Sequence, residues 1–175
     1  MRTPAGLSTR PTGDRVKESL FNILNGLIDF AAVNAVLDIF AGTGALGLEA
    51  ISRGATSATF IDSSTTEIIL DNATRAKFLD DCKILRGDFS KILRGLSRQG
   101  AAFDLIFSDP PYGKGLAQAS LNLVAELNLS TAGGLIIVEH GAKEILDLPT
   151  NFQLVRTITC GHTTTIELIE RNLST

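Results

Sequence analysis

The feature that most constrains this chain is the passage from Val33 to Gly47. There an apolar run ends in Asp38-Ile39-Phe40 and gives way to Ala41-Gly42-Thr43-Gly44-Ala45-Leu46-Gly47, which opens a helical pattern over Ala45 to Arg53. Glycines spaced G-x-G-x-x-G between a strand and a helix allow a tight turn and close packing of the helix on the strand. A turn of this kind belongs to a strand-helix-strand unit whose two strands run parallel.

The rest of the chain repeats that unit. Strand-like runs recur at Ala58 to Asp62, Lys83 to Arg86, Phe103 to Ser108 and Leu135 to Glu139, and helical spacing recurs at Thr65 to Phe78, Phe89 to Arg98 and Leu116 to Leu127. A leading helix is expected over Asp14 to Ile28, with Thr12 or Gly13 as its cap. The tail breaks the alternation: Phe152 to Thr159 and Thr163 to Ile169 flank Cys160-Gly161-His162, which suggests a hairpin adding an antiparallel strand to the sheet. The pattern implies an α/β fold with a mainly parallel sheet and helices on both faces. A length of 175 residues with 44% hydrophobic and 20% charged side chains fits one globular domain.

Several classes are disfavoured. No stretch approaches about 18 uninterrupted apolar residues, so no membrane partner is expected, and the start lacks an apolar signal region, which points to a cytoplasmic protein. Cys82, Cys160, His140 and His162 show no ligand spacing, and no metal is assigned. The net charge of −3 argues against indiscriminate nucleic-acid binding, yet the first 17 residues carry Arg2, Arg10, Arg15 and Lys17 against Asp14 alone.

Candidate chemistry lies at the carboxyl ends of the strands, where ligands of such sheets bind. Asp62 follows Gly42 by 20 residues, the place of an acid that binds ribose hydroxyls. Taken literally this is a dinucleotide fingerprint, and an NAD-dependent oxidoreductase is one reading. Asp38 opposes it: a carboxylate near the helix N-terminus would repel a pyrophosphate by about 1 kcal/mol at 4 Å in water, and more at lower dielectric. S-adenosylmethionine carries an ammonium and a sulfonium and no phosphate, so the same carboxylate becomes attractive. Asp88 can accept from an adenine amino group or cap the helix that starts at Phe89, whose ring can pack on the base. Asp109-Pro110-Pro111-Tyr112 ends the fourth strand with acceptors and no proline N–H donors. The Asp109 carboxylate and the Pro110 carbonyl could hold the two N–H groups of an exocyclic amine while Tyr112 stacks on its base, and direct transfer needs mainly this positioning.

Together, Asp38 to Glu49 and Asp109-Pro110-Pro111-Tyr112 resemble class I S-adenosylmethionine-dependent methyltransferases that modify amines. Thr9-Arg10-Pro11-Thr12-Gly13-Asp14-Arg15-Val16-Lys17-Glu18-Ser19-Leu20-Phe21-Asn22-Ile23-Leu24, with Phe40 to Ala50 and Gly161-His162-Thr163-Thr164-Thr165-Ile166, is similar to the bacterial RsmD family, which methylates N2 of a guanine in 16S rRNA. The resemblance implies a Rossmann-like fold with a seven-stranded sheet. It also implies that Asp38, Phe40, Gly42, Gly44, Asp62, Asp88 and Phe89 bind S-adenosylmethionine, that Asp109, Pro110 and Tyr112 are catalytic, and that Pro111 and Tyr112 bind the substrate. Arg10, Thr12 and Arg15 are implied to contact RNA, and the base is expected to be flipped out of its stack. The expected partner is 16S rRNA or an assembling 30S subunit, acted on by a monomer. Family members commonly begin with a longer glycine- and arginine-containing segment. Residues 1–12 are therefore read as a shortened RNA-contacting extension and residues 13–175 as one methyltransferase domain. Adenine N6 or a protein side chain remains the alternative acceptor, because related turns serve those substrates too.

Overall fold

The computed structural model describes residues 11–172. Helix α1 (Pro11–Asn25) leads into β1 (Ala35–Ile39), α2 (Ala45–Ser52), β2 (Ser57–Asp62), α3 (Thr66–Ala76) and β3 (Cys82–Arg86). The chain continues through α4 (Phe89–Arg98), β4 (Phe103–Ser108), α5 (Leu116–Glu126) and β5 (Ser130–Gly141), and closes with the hairpin β6 (Phe152–Cys160) and β7 (Thr164–Arg171). The seven strands form one sheet in the order β3-β2-β1-β4-β5-β7-β6. The first five strands are parallel, and β7 runs antiparallel to both β5 and β6. This is the class I methyltransferase fold that the resemblance implied.

The middle strands read as nearly continuous apolar runs because both of their faces are covered. On one face α1, α2 and α3 bring Phe21, Leu24, Leu48, Ile51 and Ile69 onto Val36, Phe60 and Phe107. On the other, α4 and α5 bring Leu93, Leu96, Leu121 and Val124 onto Leu37, Ile61, Ile106 and Ile136. Ring contacts of Phe21 with Phe30 and Phe107, each at 5.8 Å, pin α1 to the sheet.

Three boundaries differ from the sequence reading by three residues or more. Helix α1 begins at Pro11 rather than Asp14, since proline suits a first helical position, where its missing N–H is not needed. It ends at Asn25 rather than Ile28, with Gly26 closing the turn back to Ile23. Strand β5 starts at Ser130 rather than Leu135: Ser130 pairs with Phe103, the register then shifts, and pairing resumes at Leu135 with Leu105. The intervening Thr131-Ala132-Gly133-Gly134 forms a bulge with Gly133 at φ +74°. A Gly-Gly pair reads in sequence as a break, although a bulge accommodates it within a strand.

The sheet reverses its winding between β1 and β4, so a crevice opens beyond the carboxyl ends of those two strands.

Candidate active site

The carboxyl edge of the sheet carries one acid per strand end. Following spatial order, these are Asp88 after β3, Asp62 on β2, Asp38 on β1, Asp109 after β4 and Glu139 on β5. Two cavities adjoin this arc, of about 820 Å³ and about 410 Å³, and both are lined by Asp109 and Tyr112.

The larger cavity lies over β1, β2 and β3. Phe40, just after β1, lies in the left-handed region at φ +61°, a conformation costing about 1–3 kcal/mol for a bulky residue. Its ring meets Phe89 at 4.8 Å, and both rings line the cavity. Gly42 and Gly44 follow at φ +56° and +76°, where a side chain would be strained. Gly47 serves proximity instead: a Cβ there would lie 2.4 Å from Phe60 Cε1 and 3.3 Å from Asp38 Oδ2. The bare backbone lets Asp38 Oδ2 accept the Gly47 N–H at 2.9 Å, so this carboxyl, 1% exposed, sits against the first turn of α2. Burial pushes it up to about 8; the Gly47 N–H pulls downward, and the Asp109 and Asp62 carboxylates add to the rise.

Asp62 is held differently. Its Oδ2 accepts from Gly42 N at 2.9 Å, and Oδ1 accepts from Ser64 N at 2.8 Å and Thr65 N at 3.0 Å. Burial alone would raise its pKa, but these N–H groups outweigh it and hold the carboxyl below the usual range. Asp88 caps α4 through Oδ1, which takes Ser90 Oγ at 2.6 Å and Lys91 N at 3.1 Å; these bonds, the serine's first, lower its pKa. The helix-cap role that the sequence allowed for Asp88 is therefore present.

The smaller cavity lies between the β4 and β5 ends, the terminal hairpin and α1. Leu20, Leu46, Ile137 and Ile166 give it apolar walls. Asp109 opens to solvent at its mouth, yet the surrounding walls and then the Glu139 carboxylate push its pKa up to about 7. It accepts no hydrogen bond from the described residues. Pro110 is buried, while Pro111 is exposed on the rim of the larger cavity. Tyr112 donates its O–H to Glu139 Oε1 and lies 3.0 Å from Thr164 Oγ1 on β7. Burial, followed by the Glu139 bond, drives its phenol pKa upward. Beyond Tyr112, Gly113 N–H donates to Glu144 Oε1 at 2.7 Å and ties the loop to the segment after β5.

Glu139 and Thr164 carry no role in the sequence reading. The rule that singled out Asp38, Asp62 and Asp109, an acid at a strand's carboxyl end, also applies to Glu139. Thr164 reaches the site only through hairpin pairing, at Gly141 and Cys160. Of the expected RNA contacts, Arg10 and the side chain of Thr12 lie outside the described residues. Arg15 is exposed on α1 and does not line either cavity; Lys17, which does, lies 3.8 Å from Glu49. Among the described residues no helix is long and apolar enough to cross a membrane, and no group of three or more potential ligands could hold a metal.

Comparison with known proteins places this arrangement. A family model described as "Conserved hypothetical protein 95" matches residues 1–169. Ribosomal RNA small subunit methyltransferase D of Escherichia coli K12 is 34% identical over 164 residues, covering 90% of this chain and 78% of that protein. YlbH of Bacillus subtilis is 35% identical over 142 residues, covering 80% of this chain and 76% of that protein. Among solved structures, yhhF of Escherichia coli superimposes with a TM-score of 0.83 at 30% identity, covering 99% of this chain and 92% of the other. The chain therefore belongs to the Conserved hypothetical protein 95 family, the RsmD/YlbH family.

Proposed function

We propose that this protein transfers a methyl group from S-adenosylmethionine to the exocyclic N2 amine of a guanine in 16S rRNA, free or within an assembling 30S particle. The observation that carries the reading is the junction at Asp109 and Tyr112, shared by a nucleoside-sized cleft and an apolar pocket. The ribosomal RNA small subunit methyltransferase D relatives supply the RNA class.

The larger cavity suits the methyl donor. Asp38 is buried behind the glycine loop and protonated in the free protein; an ammonium or sulfonium gains by displacing that proton, whereas a pyrophosphate gains nothing from it and is repelled once the carboxyl ionises. Its hold on the Gly47 N–H also occupies part of the helix start that a dinucleotide would use, which weighs against the oxidoreductase reading. Asp62 keeps acceptor capacity for ribose hydroxyls, and Phe40, Asp88 and Phe89 suit an adenine. When bound, S-adenosylmethionine supplies an electrophilic methyl on sulfur.

The chain positions the other reactant. Asp109 and the Pro110 carbonyl accept the two amine hydrogens, which turns the nitrogen lone pair toward the cofactor side. With the methyl donor bound, the N–C bond would form as its S–C bond breaks, leaving S-adenosylhomocysteine, and Asp109 would take the surplus amine proton. A carboxyl raised to about 7 can hold that proton and, being open to solvent, release it. Arg10, Thr12 and Arg15 serve the RNA backbone.

Incubation with labelled methyl donor, under-methylated 30S particles and free 16S RNA tests the reading. Label in N2-methylguanine of the RNA is expected; label confined to DNA or protein overturns it.

A further inference from the structure

Glu139 lies outside the transfer scheme, although it stands at the end of the strand next to β4 and its charge acts on Asp109. Ser108 of β4 pairs with Val138 of β5 in parallel register, so the two acids leave adjacent strand ends, about 4.8 Å apart. Both side chains continue the face that Phe107 and Ile137 present to the α1 side of the core, and both line the smaller cavity. Tyr112 fixes one Glu139 oxygen through its O–H, and Thr164 steadies the phenol from β7. Two carboxyl groups thus face one apolar pocket, and in their ionised forms both only accept. Leaving such acceptors unmatched inside a ligand-filled pocket is costly, so the geometry selects a flat ligand with adjacent donors on one edge.

We propose that Glu139 accepts the N1–H of the acceptor base, so that Asp109 and Glu139 together select a guanine-type edge over an adenine-type edge. The proposal rests on the amine-acceptor reading above. In guanine the reactive amine stands beside a ring N–H, which meets the second carboxylate. In adenine the amine stands beside a bare ring nitrogen, whose lone pair would face that carboxylate. A pocket built to bind an N–H rejects an analogue lacking it far more strongly than an apolar pocket rejects a change of size.

The test uses 16S RNA joined by splinted ligation so that the nucleotide labelled in the assay above is either guanine or 2-aminopurine, and assembled into 30S particles. 2-Aminopurine keeps the 2-amine but has no hydrogen on N1. Wild type is expected to prefer guanine by about 30-fold or more in kcat/KM. Glu139→Gln, whose amide can donate to a bare N1, is expected to bring the ratio within about threefold while binding S-adenosylmethionine as wild type does. The missing O6 of 2-aminopurine affects both enzymes alike and cancels between them. Tyr112→Phe, which frees one Glu139 oxygen but leaves the carboxylate in place, is expected to slow both substrates and to retain more of the preference than Glu139→Gln does.

An unchanged ratio in Glu139→Gln overturns the proposal, as does a loss of preference in Tyr112→Phe as complete as that in Glu139→Gln, which would reduce Glu139 to a support for Tyr112. Failure of wild type to label either RNA despite binding the methyl donor overturns the 16S reading, and this inference with it.

Discussion

The two cavities are both rimmed by acids, but their acids are satisfied in opposite ways. On the proposed cofactor side every carboxylate is engaged by the chain's own backbone: Asp38, buried behind the cavity lining, by Gly47, Asp62 by Gly42, Ser64 and Thr65, and Asp88 by Lys91. On the acceptor side Asp109 has no donor among the described residues, and Glu139 has only the Tyr112 hydroxyl. The first arrangement is a finished scaffold whose loops are held before any ligand arrives. The second is an arrangement of acceptors that only an incoming donor completes. Preorganisation on one side and unmet acceptors on the other suit the proposed methyl donor and the proposed acceptor amine respectively.

Substitutions at the two sides should therefore separate. The largest effect is expected from Asp109→Ala. Methyl transfer should fall by about 10³-fold or more, as for loss of a group that both positions a reactant and takes its proton, while the dissociation constant for S-adenosylmethionine changes by less than about fivefold. Single-turnover transfer alongside calorimetry reads both numbers. A matching loss of cofactor affinity would show that the two cavities act as one.

Asp38→Asn should produce the reverse pattern, weakening cofactor binding by about 30–100-fold through loss of a buried charge opposite a cation. A pH signature accompanies it. With its carboxyl raised to about 8, folded wild type keeps a proton that the unfolded chain, near 3.8, has already released. Wild-type stability therefore falls as pH rises between those values and levels off above about 8. The asparagine variant lacks that contribution and should gain about 1–3 kcal/mol relative to wild type at pH 8 in urea unfolding of the free protein. Cofactor affinity of wild type should rise over the same range, as the cation displaces the proton. Equal pH slopes for both proteins would remove Asp38 from this role.

Gly47→Ala probes the scaffold itself. Its Cβ would overlap Phe60, with ring atoms at 2.4 and 2.8 Å, so a loss of about 1–3 kcal/mol is expected from denaturant midpoints, along with displacement of Asp38 from the helix turn. The smallest effect is expected at Glu144→Ala, which frees Gly113 N–H and loosens the loop that carries Tyr112. Transfer should slow by about two- to fivefold with cofactor affinity unchanged. A larger change in affinity than in turnover would blur the distinction between the two sides.

How much of this was legible beforehand follows the same division. The cofactor side is built from one strand-turn-helix and two further strand ends, each contiguous in sequence, so Asp38, Gly42, Gly44, Asp62, Asp88 and Phe89 stood out by spacing. The close approach behind Gly47 did not, because it depends on Phe60 from another strand. The acceptor side gathers β4, β5, β7 and α1, and only Asp109-Pro110-Pro111-Tyr112 announces itself locally. Strand β5 starts five residues before the point the sequence indicates, because its Gly-Gly bulge resembles a turn, and Glu139 near its far end has the look of an ordinary strand residue.

By itself the sequence determined the alternation of strands and helices, the glycine turn and the Asp-Pro-Pro-Tyr stop, because periodicity, positive-φ glycines and proline act within a few residues of where they are written. Only the tertiary structure decided that Glu139 stands beside Asp109, that Tyr112 is anchored between β5 and β7, and that two cavities meet at one carboxylate. Those relations come from sheet order and register, which pair residues 27 to 52 positions apart and are set by packing of the whole core.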